Sequence, residues 1–169
     1  MAVAGYRLVY GGGTKGVMGA VATGCLDAGG KVSGIIPRFL LAKEAGGPAQ
    51  DRFDDLVITD NMHQRKHIMF EKSDAFVAFP GGIGTLEEIV EIMTWSQLGH
   101  HRKPMVFANI KGYWEPMLEL IEHMKREGFL HSADRAQVLV ASKVDEIIPM
   151  IETSAKPAAE GEEALIDRL

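Results

Sequence analysis

Between Asp74 and Phe79 the chain is nearly all apolar, then breaks into Pro80-Gly81-Gly82-Ile83-Gly84-Thr85 before a helical pattern takes over. A short apolar run of this kind reads as a strand buried on both faces, which requires helices above and below a parallel sheet. The same order of strand, turn and helix recurs along the chain. Tyr6 to Tyr10 reads as a strand ending at Gly11-Gly12-Gly13, and Val17 to Ala28 as a helix stopped by Gly29-Gly30. Lys31 to Ile36 is a strand closed by Pro37, and Arg38 to Asp54 is irregular, punctuated by Gly46-Gly47-Pro48. Leu56 to Thr59 is a strand, and Met62 to Lys72 a helix capped by Asp60 or Asn61. Thr85 to Leu98 is a helix with Ile89, Ile92, Met93 and Ser96 toward the sheet. Met105 to Asn109 is a strand, Trp114 to Glu127 an amphipathic helix, Val138 to Val140 a strand, and Val144 to Ile151 a last helix. This alternation predicts an α/β fold, a doubly wound parallel sheet with helices on both faces. Residues 1–151 are expected to form one domain, with an Ala-, Glu- and Pro-rich tail over 152–169 that is flexible or a short exposed helix.

The start of the chain breaks the rhythm. Ala2-Val3-Ala4-Gly5 reads as the last turn of a helix with its glycine stop. A strand and a helix are therefore expected ahead of Gly5.

Composition narrows the function classes. The chain has 169 residues, of which 46% are apolar and 24% charged, enough for a real core. A net charge of −5 gives no broad basic field for nucleic acid. The single cysteine, Cys25, excludes an internal disulfide, fits a reducing cytoplasm, and lies in a small-residue helical run where it reads as packing. No apolar run approaches the ~20 residues of a membrane span, and nothing before the first strand reads as a signal peptide.

The chemistry concentrates at Pro80–Thr85. The preceding strand delivers this turn to the carboxyl edge of the sheet, where open α/β folds bind ligands. Glycines let backbone N–H groups approach a ligand closely, Thr85 reads as the helix cap, and the helix start supplies partial positive charge. A plain tight turn would need one glycine; three and a threonine suit a phosphate. Glu87 and Glu88 are expected in the first helical turn, where they complement the dipole or reach past a phosphate to a sugar hydroxyl or a water. Met62-His63-Gln64-Arg65-Lys66 opens a helix after another strand, and cations there oppose the dipole unless an anion meets them. His63 and His67 have a spacing that suits a metal, but no third ligand accompanies them, so no metal is expected. His100-His101 reads as a surface loop. Tyr10 to Gly19 is a second glycine-rich junction, only loosely like a dinucleotide fingerprint, and reads as a close-packing turn that lines one wall of the same crevice.

Met62-His63-Gln64-Arg65-Lys66 together with Pro80-Gly81-Gly82-Ile83-Gly84-Thr85-Leu86-Glu87-Glu88 resembles the Lonely Guy (LOG) family of cytokinin riboside 5′-monophosphate phosphoribohydrolases. The resemblance extends through Tyr10-Gly11-Gly12-Gly13, Gly34-Ile35-Ile36-Pro37, Thr94 to Gly99, Lys103-Pro104 and Gly128-Phe129, covering Gly5 to about Ile151. It implies a Rossmann-like nucleotide-binding fold and hydrolysis of the N-glycosidic bond of N6-modified adenosine 5′-monophosphates, often of AMP itself, to free base and ribose 5-phosphate. It implies Arg65 and Glu88 as the catalytic pair. It implies substrate contacts from Glu44, Lys66, Gly81, Gly82, Ile83, Gly84, Thr85, Leu86, Glu87 and Thr94. It also implies a homodimer or higher homo-oligomer; no cofactor is expected, and charge and hydropathy give no nucleic-acid or membrane partner. Family members have often been labelled lysine decarboxylases, yet no recognisable pyridoxal-phosphate lysine site is present. A broader nucleoside 5′-monophosphate nucleosidase and a non-hydrolytic nucleotide or cofactor carrier remain the alternatives.

Overall fold

The computed structural model describes residues 1–44, 50–130 and 138–155. The chain divides into two compact units, Met1–Asp74 and Ala75–Leu169. The expected Gly46-Gly47-Pro48 turn and the tail beyond Ala155 lie outside the described residues.

In the first unit a single 3-10 turn, Ala2–Ala4, ends at Gly5 in the left-handed conformation (φ 79°), as its glycine stop predicted. Strands β1 (Arg7–Tyr10), β2 (Lys31–Pro37) and β3 (Asp55–Thr59) form a parallel sheet in that order. Tyr10 pairs with Gly34, and Ile35 with Val57. The central strand β2 is buried without a break from Val32 to Pro37 because both its faces are covered. Helix α1 (Gly16–Asp27) covers one face, packing Ala22 and Cys25 against Tyr10 and Val32. Cys25 is thus a core residue. Helix α3 (Met62–Glu71) packs on β2 and β3 and is capped by Asn61, whose Oδ1 accepts from Gln64 N at 2.9 Å. Successive strand side chains alternate in direction, so Leu8 and Tyr10 face α1 while Val9 and Gly11 point the other way. The segment read as irregular contains helical turns: a 3-10 turn at Arg38–Leu40, a one-turn helix α2 (Leu41–Glu44) and a 3-10 turn at Gln50–Arg52. A helix that short has no intrinsic stability. Its Glu44 carbonyl instead accepts from Thr14 N at 2.8 Å and from Thr14 Oγ1 at 3.3 Å, which anchors the turn to the loop after β1.

In the second unit β4 (Phe76–Ala78), β5 (Met105–Ala108) and β6 (Val138–Ala141) form a parallel sheet in that order. Ala78 pairs with Phe107, and Phe107 with Val140. Helices α4 (Ile83–Gln97) and α5 (Glu115–Arg126) cover one face, where Ile89 and Trp114 pack on Ala78 and Phe107. Helix α6 (Ile147–Ser154) covers the other, where Ile147 packs on Val106, Ala108 and Ala141. Burial of β5 on both faces explains its unbroken apolar sequence. Helix α6 runs on through Ser154, past the expected start of the tail.

One loop reading is corrected. His101 is buried, not at the surface. Lys103 N donates to its Nδ1 at 3.1 Å, which leaves the proton of the neutral ring on Nε2, 2.9 Å from the Ile92 carbonyl. The ring also stands edge-on to Phe76. His101 therefore ties the loop before β5 to α4.

Candidate active site

The turn after β4 is held from one side by a second turn. After β5, Asn109 Oδ1 accepts from Trp114 N at 2.8 Å, and Asn109 Nδ2 donates to Glu115 Oε1 at 2.6 Å. Between them Lys111 (φ 55°) and Gly112 (φ 73°) both take the left-handed conformation. For Lys111 that conformation costs roughly 1–2 kcal/mol, which the surrounding bonds must offset. The turn delivers two consecutive aromatic residues to the β4–α4 connection. The Trp114 indole N–H donates to the Ala78 carbonyl at 3.0 Å, and the Tyr113 hydroxyl donates to the Gly81 carbonyl at 2.6 Å. The two rings meet edge to face.

Helix α4 then begins earlier than its threonine suggests. Gly82 is the cap, Ile83 the first helical residue, and the first i→i−4 bond runs from Leu86 N to Gly82 O at 3.1 Å. Thr85 is inside the first turn rather than capping it. Glycine also caps helices acceptably, and Gly81 leaves room for the Thr85 side chain, since a Cβ there would stand 2.3 Å from Thr85 Oγ1. Glu87 and Glu88 consequently fall in the second turn, not the first. Glu87 is exposed and Glu88 half-buried. Leu86 and Ile89 face the sheet and fix the rotation of the helix. Further along, the Thr94 hydroxyl donates to the Val90 carbonyl at 2.8 Å.

The glycines of this turn have different reasons for being there. Gly81 is required by Thr85. Neither Gly82 nor Gly84 has a positive φ, and a Cβ on either would meet nothing within 4 Å among the described residues. Within the helix, at Gly84, glycine costs roughly 0.5–1 kcal/mol against alanine, whereas at Gly82 it also serves as the cap. At Gly84 the chain itself gives no return for that cost, whereas a ligand approaching the backbone closely would. The N–H groups of Ile83, Gly84 and Thr85 all precede the first i→i−4 bond, the arrangement of a helix start that suits an anion.

In the first unit Arg65 and Glu44 both meet the loop after β1. Arg65 of α3 is buried; its Nε donates to the Ile35 carbonyl at 3.3 Å, and its Nη1 lies 3.9 Å from Met62 Sδ. Its guanidinium lies over Gly11, where a Cβ would stand 1.9 Å from Nη2. Lys66 is half-buried, and His63 and His67 are exposed. Glu44 enters through its carbonyl, which holds Thr14, and Lys15 Nζ donates to the neighbouring Lys43 carbonyl at 3.1 Å. The Gly11–Gly13 loop is close-packed as its sequence predicts, but that Arg65 is what packs on Gly11 is not legible there. A glycine run facing an arginine helix was the only available signal. Sequence reading also passed over Tyr113 and Trp114, whose role depends on contacts far apart in sequence. Among the described residues no group of His, Cys, Asp and Glu is arranged to hold a metal, and no helix is long and apolar enough to cross a membrane.

Parallel sheets flanked by helices, with a glycine-lined helix start after β4, place the chain in the Rossmann-like α/β class. Residues 18–151 match the family model described as "Possible lysine decarboxylase". The chain is 46% identical over 146 residues to a cytokinin riboside 5′-monophosphate phosphoribohydrolase of Rhodococcoides fascians, covering 86% of this chain and 72% of that protein. It is 45% identical over 138 residues to a probable enzyme of the same name from Oryza sativa subsp. japonica, covering 82% of this chain and 60% of the relative. A further relative of that name, from Arabidopsis thaliana, is 40% identical over 155 residues, with coverages of 92% and 66%. The chain thus spans 60% to 72% of the length of these relatives. The chain belongs to the cytokinin riboside 5′-monophosphate phosphoribohydrolase (LOG) family. A solved structure titled as the molybdenum cofactor binding protein of the phototrophic bacterium Rippkaea orientalis superimposes with a TM-score of 0.64. It covers 90% of this chain and 79% of that one at 24% identity, a likeness of fold.

Proposed function

We propose that this chain hydrolyses the N-glycosidic bond of N6-modified adenosine 5′-monophosphates, releasing the free base (a cytokinin, or adenine from AMP) and ribose 5-phosphate. Family membership supports the reaction class. The observation that carries the reading to this chain's own residues is Gly84, a glycine inside the first turn for which the chain itself has no steric or conformational need.

The bond breaks through an oxocarbenium-like sugar, with positive charge growing on the ribose and negative charge on the leaving base. The water consumed supplies hydroxide to the anomeric carbon and a proton to the base. In this reading the backbone of Gly81, Gly82, Ile83, Gly84 and Thr85 holds the 5′-phosphate and fixes the ribose, so that remote binding energy positions the bond to be cut. Leu86 orients the helix, and Glu87 and Thr94 flank the sugar and base. Glu88 is the catalytic carboxylate, holding the ribose hydroxyls or the attacking water and stabilising the sugar cation. Arg65 is a permanent cation, with a pKa above ~12, and so orients the substrate and offsets negative charge rather than donating the proton. Lys66 and Glu44 complete the substrate contacts. Residues 1–151 act as one nucleotide-binding domain, as a homodimer or higher homo-oligomer in the cytoplasm, without a cofactor.

The test incubates the protein with AMP and with isopentenyladenosine monophosphate and follows free base by chromatography. Wild-type protein releases base, and Glu88→Gln lowers turnover by about a hundredfold or more while still binding ribose 5-phosphate. Release of base from neither nucleotide contradicts the hydrolase reading. Near-wild-type release by Glu88→Gln contradicts the role given to that carboxylate.

A further inference from the structure

We infer that Tyr113 is a positioning residue for phosphate, acting through the Gly81–Gly82 peptide; the inference rests on the phosphate reading of the β4–α4 turn. The peptide is trans, as are all those described, so its carbonyl and its N–H point in opposite directions. The Tyr113 hydroxyl holds the Gly81 carbonyl at 2.6 Å. The Gly82 N–H thereby points out from the opposite edge of the peptide, away from Tyr113. As the cap residue's donor it would add to those of Ile83, Gly84 and Thr85 at the start of α4. A glycine–glycine peptide has little else to fix it, because neither residue has a side chain to restrict rotation.

Three observations set this contact apart from an incidental surface bond. It belongs to a pair, since Trp114 holds the Ala78 carbonyl at the other end of the same connection. The Tyr113 ring is braced edge to face on Trp114, at 5.1 Å between centroids. The turn that presents both residues holds Lys111 in a conformation unfavourable for a side chain, and Asn109 and Glu115 tie it down. A chain that needed only to cover β5 would have no use for so constrained a turn.

Tyr113→Phe keeps the ring and removes the hydroxyl. The experiment titrates wild type and Tyr113→Phe with ribose 5-phosphate and with inorganic phosphate by calorimetry, beside a thermal melt of each. Loss of one positioned donor weakens both ligands by about fivefold. A variant that melts lower yet binds both probes as wild type does makes Tyr113 a structural tie only and overturns the inference while leaving the phosphate reading intact. Wild-type protein that binds neither probe overturns the phosphate reading and the inference with it.

Discussion

At the end of β1 every glycine answers to an atom of this chain or to its own backbone. A Cβ on Gly11 would collide with the Arg65 guanidinium, and one on Gly13 would stand 2.7 Å from the Met18 methyl. Gly12 and Gly16 have positive φ, and a Cβ on Gly19 would come within 2.2 Å of the Thr14 carbonyl. At the end of β4 only Gly81 is so constrained. Gly82 and Gly84 border open space and have ordinary backbone angles. Both junctions have the same outline of strand, glycine run and helix. The difference teaches that glycine content alone does not mark a ligand loop. A glycine that the fold does not require is the more informative one.

The most disruptive way to probe this contrast is Gly11→Ala. The new methyl group must displace the Arg65 side chain, which is held in place by the Ile35 carbonyl. Destabilisation of about 1–3 kcal/mol is expected, as for overpacking generally, with turnover reduced in parallel. Because the clash is with Arg65, the same change in an Arg65→Ala background should be nearly free. A double-mutant cycle by denaturant unfolding checks this. Equal losses in both backgrounds would place the strain elsewhere in the loop.

A second probe of the same junction uses pH. The Tyr10 hydroxyl is buried with no hydrogen-bond partner among the described residues, and burial pushes its pKa from 10.0 up to about 12. Stability from this group is fully present below pH 10 and is lost as pH rises from there toward about 12, because the unfolded chain ionises first. Wild type should lose up to ~2 kcal/mol more than Tyr10→Phe across that window. Near neutral pH the variant should be as stable or slightly more so, since a buried orphan hydroxyl is unfavourable. Unfolding measured at both ends of the window compares the two. Parallel alkaline loss in both proteins would show that Tyr10 ionises freely when folded.

Much of this was legible in the sequence, for identifiable reasons. Strand and helix positions followed from local apolar period, and Gly5, Asn61 and Cys25 fell where their chemistry placed them. The helix after Gly82 was misjudged by two residues because threonine is the better-known cap, while the room that Gly81 leaves for Thr85 is a spatial fact. His101 was misread because a polar residue in a loop is normally exposed, and its two backbone partners are not visible as a pattern. The seat of Arg65 on Gly11 and the hold of Tyr113 on Gly81 join residues far apart in sequence. The motifs named the loops and the arginine helix, but which glycine served which purpose required coordinates.

The smallest change tests the central claim most directly. Gly84→Ala adds one methyl group to the first turn of α4, where nothing among the described residues opposes it. If Gly84 is kept for a ligand and not for the fold, the variant should be more stable than wild type by about 0.4–1 kcal/mol in denaturant unfolding. It should also bind ribose 5-phosphate about tenfold more weakly, because the methyl group keeps the phosphate from the backbone and costs a charge-assisted hydrogen bond. A variant that is less stable than wild type, or that binds ribose 5-phosphate equally well, would contradict the claim that this turn is shaped by phosphate.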